Sequence, residues 1–248
     1  MPIGLGYTAH LVYGDDIFAV GGLIQKNDSG QVTGRKSEIS DKVLSKNVKT
    51  GIWKNDHNPF PVKIRMALGV TADVPYVLGG RLEDGSLNLN AYRYDKASDK
   101  FSPVGDQMRD PIYTQAIAES DGKIYLFGRK EMRIYDTTSG EWSKKRMPKE
   151  FREKYSDFVD VYAFKHDNQV YVWTDTVSYR DASLTGLLFK LSDDSLKKVG
   201  TFRIPYEAKE FCNRAFVDGY VHFLGGKDIG CIPSEVAYRF KLPLKKAV

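Results

Sequence analysis

Arginine side chains supply the chemistry that is easiest to assign in this sequence. A planar guanidinium group matches a carboxylate and binds it through two parallel hydrogen bonds. Arg65 begins one apolar segment and Arg109 shortly precedes another, so both can lie at strand ends around a common ligand. We predict a binding site for a carboxylate-bearing or otherwise anionic ligand. The candidate residues are Arg65, Arg81, Arg109, Tyr113, Arg180, Glu210 and Arg214. The alternative is that these arginines form salt bridges between neighbouring sheets.

Residues that carry catalysis or bind metals follow no recognisable pattern in this chain. The four histidines are scattered without metal-ligand spacing, and two cysteines are too few for a disulfide scaffold. No serine nucleophile elbow or phosphate-binding loop is present. We therefore expect no catalytic residue, no metal and no cofactor.

Composition and charge narrow the class of protein. The chain has 248 residues, of which 42% are apolar, and a net charge of +5. This charge is too small to predict nucleic-acid binding. No segment approaches the ~20 apolar residues that span a bilayer, and residues 1–6 lack the features of a signal peptide. We expect a cytoplasmic globular protein.

Five apolar segments recur along the chain and define its organisation. From Gly21 the steps to Gly79, Gly128, Thr174 and Gly225 are 58, 49, 46 and 51 residues, and each of these residues ends an apolar run. Three of the runs end in Gly-Gly, where glycine lets the chain leave the strand with positive φ. Because no polar residue alternates within them, these strands must be covered on both faces.

Each apolar run is expected to be the second strand, B, of a four-stranded repeat. A strand rich in small residues, A, precedes it across a tight turn, and two further strands, C and D, follow. The C–D turns share a spacing in which an Asp or Asn precedes an aromatic residue by six positions. The three pairs are Asn47 with Trp53, Asp95 with Phe101, and Asp136 with Trp142. We expect the first residue of each pair to hydrogen-bond the turn backbone, and the aromatic residue to be buried at the start of strand D.

These features resemble the kelch family, whose repeats carry a Gly-Gly after the second strand and a spaced tyrosine and tryptophan. The resemblance implies an all-β, kelch-like β-propeller that forms a single domain over residues 1–248. We predict five blades of mostly four antiparallel strands, at about 7–57, 62–105, 109–147, 155–200 and 207–244, with the last blade three-stranded. The chain is either a five-bladed ring or part of a longer propeller. An antiparallel β-sandwich is the alternative fold.

The kelch resemblance also implies a function. Kelch repeats commonly serve as non-catalytic protein-interaction modules, so we expect a protein partner that presents an acidic segment. In this topology the B–C and D–A connections share one face, and their length predicts that this face binds. The alternative is a metal-free propeller resembling sialic acid mutarotases, which would modify or bind a small anionic sugar. Arg65, Arg109, Asp160, Glu210 and Arg214 would then occupy the axial funnel.

Overall fold

The computed structural model of the chain describes residues 5–26, 36–112, 114–154, 161–178, 183–204, 213–224 and 237–241. These residues are largely β-strand, and the helix among them is α1 (Lys149–Lys154). The chain divides into two compact units. The first contains Met1–Leu126 and Arg133–Lys144, and the second contains Phe127–Met132 and Lys145–Val248.

The first three repeats precede helix α1. The first repeat contains β1 (Leu5–Gly6), β2 (Ala9–Tyr13), β3 (Asp16–Val20), β4 (Leu23–Lys26), β5 (Lys36–Ile39), β6 (Val43–Asn47) and β7 (Trp53–Lys54). The second contains β8 (Ile64–Arg65), β9 (Leu68–Thr71), β10 (Pro75–Leu78), β11 (Arg81–Leu82), β12 (Ala91–Asp95) and β13 (Lys100–Val104). The third contains β14 (Thr114–Ser120), β15 (Lys123–Gly128), β16 (Glu131–Asp136) and β17 (Trp142–Arg146).

The last two repeats follow helix α1. The fourth contains β18 (Val161–His166), β19 (Gln169–Ser178), β20 (Ser183–Ser192) and β21 (Ser195–Ile204). The fifth contains β22 (Asn213–Val217), β23 (Tyr220–Leu224) and β24 (Ala237–Lys241). The fourth sheet therefore ends at Ile204, beyond the predicted boundary at residue 200.

The predicted order of strands A, B, C and D is confirmed in the sheets. They run β2-β3-β6-β7, β9-β10-β12-β13, β14-β15-β16-β17 and β18-β19-β20-β21. The fifth sheet is β22-β23-β24, so it has three strands among the described residues, as expected. The apolar B strands lie in the core: all four residues of β10 are buried, and Val172 and Trp173 of β19 are 0% exposed.

Aromatic side chains fill the core within each unit. In the first unit the Phe60 ring lies 4.6 Å from that of Tyr92 and 5.4 Å from that of Phe101. In the second unit the Phe164 ring stacks on Phe216 at 4.3 Å. Such ring pairs stabilise a core beyond the burial of their area.

The double glycines allow two backbone segments to approach closely. Strand A is interrupted by a residue in the left-handed region, at Tyr7 and again at Met66, both with φ 56°. Gly22 and Gly80 lie against these two interruptions. A Cβ on Gly80 would be 2.8 Å from the Arg65 carbonyl oxygen and from the Ala67 amide nitrogen. The predicted first strand of repeat two, which began at Arg65, is therefore two strands, β8 and β9.

The C–D turns are held as the spacing predicts. Asn47 Oδ1 accepts the amides of Lys49 and Thr50, and Asp136 Oδ1 accepts those of Thr138 and Ser139. Asp95 Oδ1 accepts the amide of Ala97. The hydrogen bonds to the two carboxylates lower the pKa of Asp95 and of Asp136.

The burial expected of the aromatic partners holds only for Phe101, which is 4% exposed. Trp53 and Trp142 are half-buried. The Lys46 ammonium lies 5.7 Å from the centre of the Trp53 ring, and the Trp142 indole donates to the Asp106 carbonyl at 2.9 Å. Both indole side chains thus contact polar groups.

The fourth repeat differs from the expected pattern. The sequence suggests a long B–C connection from Thr174 to Gly186, but β19 and β20 continue their pairing to Ser178 and Ser183. Val199 stands in the sequence where the other repeats have the aromatic residue that begins strand D, but it is 51% exposed and lies where the register between β20 and β21 shifts. Leu196 is buried instead.

Candidate functional site

The long connections on the predicted binding face are anchored by short extra strand pairs. In the first repeat β4 returns to pair with β1, which precedes strand A. In the second repeat β11 returns in the same way to pair with β8. Tyr7 and Met66 make both arrangements possible, since their left-handed conformation turns the chain out of the main sheet.

Strand pairing in the second repeat brings two candidate arginines together. Arg65 of β8 and Arg81 of β11 are direct antiparallel partners, so their side chains leave the same face. Like charges in this position are unfavourable unless something compensates them. We refer to Arg65 and Arg81 as the arginine pair.

The arginine pair has unused hydrogen-bonding capacity. Arg81 donates to the Gly85 carbonyl at 3.1 Å. Arg65 is half-buried, and its Nε is buried without a hydrogen-bond partner. A buried donor left unpaired costs about 1–3 kcal/mol, so a ligand that satisfies it gains that stabilisation.

Neighbouring carboxylates do not neutralise the arginine pair. Glu83 pairs with Lys63 at 2.9 Å, and Glu38 lies 3.9 Å from the same ammonium. Within the described residues no acidic side chain forms an ion pair with either arginine. The salt-bridge alternative is therefore not supported at Arg65 and Arg81.

The other predicted site residues are not shown next to the arginine pair. Arg109 is exposed in the connection between β13 and β14. The arginine that strand register places opposite Arg65 is Arg81. Arg214 lies on β22 opposite Phe223. Its side chain, together with Tyr113, Asp160, Arg180 and Glu210, lies outside the described residues.

A second basic cluster occurs in the second unit. Arg129, Arg146 and Arg152 line an open cleft of about 590 Å³ with Lys130, Glu131 and Glu153. Arg152 is carried by α1 and donates from Nε to the Met147 carbonyl at 3.1 Å. The basic run 144–149, whose charge predicts a solvated loop, instead begins within β17. Its basic side chains are exposed, while Met147 is buried.

One cluster of polar side chains was missed at the level of sequence. It lies in an open cleft of about 830 Å³ between turns 13–16, 47–52 and 94–99 of the first unit, which we call the turn cleft. The Ser45 hydroxyl is 2.9 Å from His57 Nε2, and His57 Nδ1 is 2.7 Å from Asp99 Oδ1. Tyr94 and Lys54 also donate to Asp99, at 2.6 and 2.8 Å.

The electrostatics of this cluster favour an ionised Asp99. Burial alone would raise the pKa of its carboxyl, but hydrogen bonds from Lys54, Tyr94 and His57 more than offset this effect and lower the pKa to about 2. Burial and the hydrogen bond to Asp99 raise the pKa of Tyr94. The same carboxylate raises the pKa of Lys54. No linear spacing could have revealed the cluster, because its members belong to two repeats.

Metal-ligating side chains do not cluster in the described part of the chain. No group of three or more His, Cys, Asp or Glu side chains is placed there to hold a metal ion. Among the same residues, no helix is long and apolar enough to cross a membrane.

Comparison with known proteins bears on the fold alone. No protein family matches the sequence, and no curated protein matches it either. Among solved structures, that of YjhT is similar with a TM-score of 0.65 at 13% sequence identity. The match covers 96% of this chain and 82% of that one. YjhT is a β-propeller, and the present chain has a β-propeller fold with four-stranded antiparallel sheets and, among the described residues, a three-stranded last sheet.

Proposed function

We propose that this chain is a kelch-type protein-interaction module whose B–C/D–A face binds an acidic segment of a partner without catalysing a reaction there. The observation that carries this proposal is the arginine pair. Two guanidinium groups on one face of a strand pair, one with a buried unused donor, are arranged to receive carboxylates.

The backbone around the arginine pair suits recognition by a rigid surface. The β8–β11 pairing fixes the two Cα positions, so little conformational entropy is lost when a ligand binds. Lys63 beside the pair is held by Glu83, which keeps a mixed charged rim around the two arginines. Polar rims of this kind are usual around binding hot spots.

A carboxylate-bearing sugar is the second candidate ligand. A small carboxylate can pair with the guanidinium groups of Arg65 and Arg81 as a glutamate side chain can, and the fold is shared with YjhT. This alternative corresponds to the metal-free, mutarotase-like propeller suggested by the sequence. It requires convergent acidic and basic side chains, and of the residues proposed for it Asp160 and Glu210 lie outside the described part.

Removing the arginine pair tests the proposed interaction. Affinity capture from the native host is carried out with the wild type and with the Arg65→Ala/Arg81→Ala variant. Each hydrogen-bonded charge contributes about 1.5–3 kcal/mol, so we expect the double variant to bind the captured partner's acidic segment at least ~100-fold more weakly. Its melting temperature should stay nearly unchanged.

The control is Arg93→Ala, which removes an exposed arginine paired with Asp73 on an outer part of the same repeat. Its affinity should equal that of the wild type. Arg109→Ala shows separately whether the site extends to that exposed residue. Calorimetry with sialic acid tests the second ligand: binding that depends on the arginine pair would favour the sugar. Unchanged affinity with lowered stability would contradict both candidates and assign the pair to the scaffold.

A further inference from the structure

The Ser45, His57 and Asp99 side chains form one continuous hydrogen-bonded chain at the base of the turn cleft. Ser45 Oγ is 2.9 Å from His57 Nε2, and His57 Nδ1 is 2.7 Å from Asp99 Oδ1. Both distances fall in the range over which a serine hydroxyl, a general base and an orienting carboxylate act together. This site is independent of the arginine pair, which lies at the B–C end of the sheets.

The hydrogen bonds fix the positions of the protons. Asp99 is a carboxylate that already accepts from Tyr94 and Lys54, so it accepts from His57 as well. In the neutral imidazole the proton is therefore on Nδ1, and Nε2 presents a lone pair. Ser45 must then donate its hydroxyl proton to Nε2, which is the arrangement that increases the nucleophilicity of a serine oxygen.

The first sheet directs Ser45 toward the turn cleft. Ser45 on β6 is paired with Phe18 on β3, and two residues further along Asn47 is paired with Asp16. Because alternate residues share a face, Ser45 and Asn47 both line the cleft. Ser45 and the His57 side chain are each 3% exposed, so they form its floor.

The surroundings of Ser45 suit a small neutral substrate with an apolar acyl group. Phe18, Tyr13 and Tyr94 provide ring surfaces, with the Phe18 and Tyr94 centroids 5.4 Å apart. The Lys54 ammonium uses one N–H bond on Asp99 and lines the same cleft. It supplies positive charge beside the carbonyl oxygen on which negative charge would develop.

We propose that the turn cleft is a hydrolase site for short-chain carboxylic esters, with Ser45 as nucleophile, His57 as general base and Asp99 as the residue that positions His57. The Ser45 oxygen adds to the ester carbonyl carbon while its proton passes to His57 Nε2. The carbon–oxygen bond to the alcohol then breaks, and the leaving oxygen takes that proton. Water then adds to the acyl carbon while His57 Nε2 takes its proton. The bond from that carbon to Ser45 Oγ breaks, and the proton passes to Oγ as the carboxylic acid leaves.

Labelling with a fluorophosphonate tests whether Ser45 is a nucleophile in the wild-type protein. We expect one label per chain, located at Ser45 by peptide mass spectrometry. p-Nitrophenyl acetate should be hydrolysed at least ~100-fold faster by the wild type than by Ser45→Ala or His57→Asn, since a positioned general base contributes about 10²–10⁴-fold. Ser102→Ala, which changes an exposed strand serine, should match the wild type.

Asp99→Asn tests the positioning role. Its amide group can donate to Nδ1, which would place the proton on Nε2 and remove the base. We expect kcat to fall at least ~100-fold while KM stays within about 2-fold, a separation that a loss of folding would not produce. The proposal is overturned if the folded wild type is not labelled at Ser45, or if it hydrolyses the ester no faster than Ser45→Ala. The hydrogen bonds among Ser45, His57 and Asp99 would then serve only to hold the two repeats together. The labelling result decides this even where a variant fails to fold.

Discussion

At the scale of single residues, Asp99 combines a left-handed backbone conformation with several side-chain hydrogen bonds. It lies in the left-handed region with φ 54° and accepts hydrogen bonds from three side chains of two repeats. Asp and Asn tolerate this backbone conformation better than most residues. A single carboxylate thereby joins the C–D turn of the second repeat to His57 and, through it, to strand β6 of the first.

Because the pKa of Asp99 is lowered in the folded state, the protein should lose stability at low pH. Its folded-state pKa of about 2 lies below the usual 3.8, so the stabilisation is fully present above about pH 4 and is lost as the pH falls toward 2. Asp99 is 24% exposed, and after allowance for solvent screening we expect a contribution of about 1–2 kcal/mol. Urea unfolding at pH 7 and pH 3 should show a loss that is smaller in Asp99→Asn by about half of this amount, because pH 3 lies between the folded and the usual pKa of Asp99.

Asp56→Asn is the control for this experiment, because it removes an exposed carboxylate adjacent to His57 in sequence. It should keep the acid sensitivity of the wild type. An equal loss of stability at pH 3 in the wild type and in Asp99→Asn would show that the hydrogen bonds to Asp99 do not stabilise its ionised form.

At the scale of elements, the kink in the first strand and the double glycine are held together by backbone hydrogen bonds. The Met66 amide donates to the Tyr7 carbonyl at 2.8 Å, and the Gly22 amide donates to the Ile64 carbonyl at 2.7 Å. The two kinks are thus joined across neighbouring repeats by backbone hydrogen bonds. These bonds position β8 and with it Arg65, so the double glycines also determine where the candidate binding site lies.

Gly80 and Gly85 have similar φ angles but different surroundings. Replacing each with alanine therefore distinguishes the cost of backbone strain from the cost of close packing. Gly80 has φ 87° and would bring a Cβ against three backbone atoms, whereas Gly85 has φ 84° and open space around it. Alanine in the left-handed region costs about 1–2 kcal/mol, so Gly85→Ala should lose roughly that amount. Gly80→Ala should lose at least about 3 kcal/mol in free energy of unfolding, because backbone atoms must also move.

Chemical denaturation with an unchanged m-value measures both losses. Equal losses at Gly80 and Gly85 would mean that the backbone approach seen at Gly80 is not tight in solution.

At the scale of the whole molecule, the boundary between the two compact units falls inside strands β15, β16 and β17. A boundary that cuts strands rather than a linker is unusual between independent domains, whose borders lie in flexible segments. We therefore propose that the chain is one domain that unfolds cooperatively.

The three tryptophans report on this cooperativity. Trp53 and Trp142 belong to the first unit and Trp173 to the second. In Trp173→Phe, and separately in Trp53→Phe/Trp142→Phe, denaturation followed by fluorescence should coincide with denaturation followed by far-ultraviolet circular dichroism. A fluorescence midpoint that differs from the circular dichroism midpoint within one variant would show that the units unfold separately.

The sequence by itself determined the repeats, the strand order and the C–D turns. These features depend on local interactions: an apolar run needs cover on two faces, a glycine permits a left-handed residue, and an aspartate accepts the amides of its own turn. Asp136 and Asn47 needed no distant partner to be placed correctly.

Tertiary structure alone decided which side chains meet. Arg65 was predicted beside Arg109, but a left-handed residue at Met66 splits the first strand and strand register places Arg65 opposite Arg81. Ser45, His57 and Asp99 are separated by 12 and 42 positions, and packing between repeats brings them within hydrogen-bond distance. The physical reason is that backbone patterns repeat along the chain, whereas a contact between two repeats depends on kinks and register that single-residue preferences do not encode.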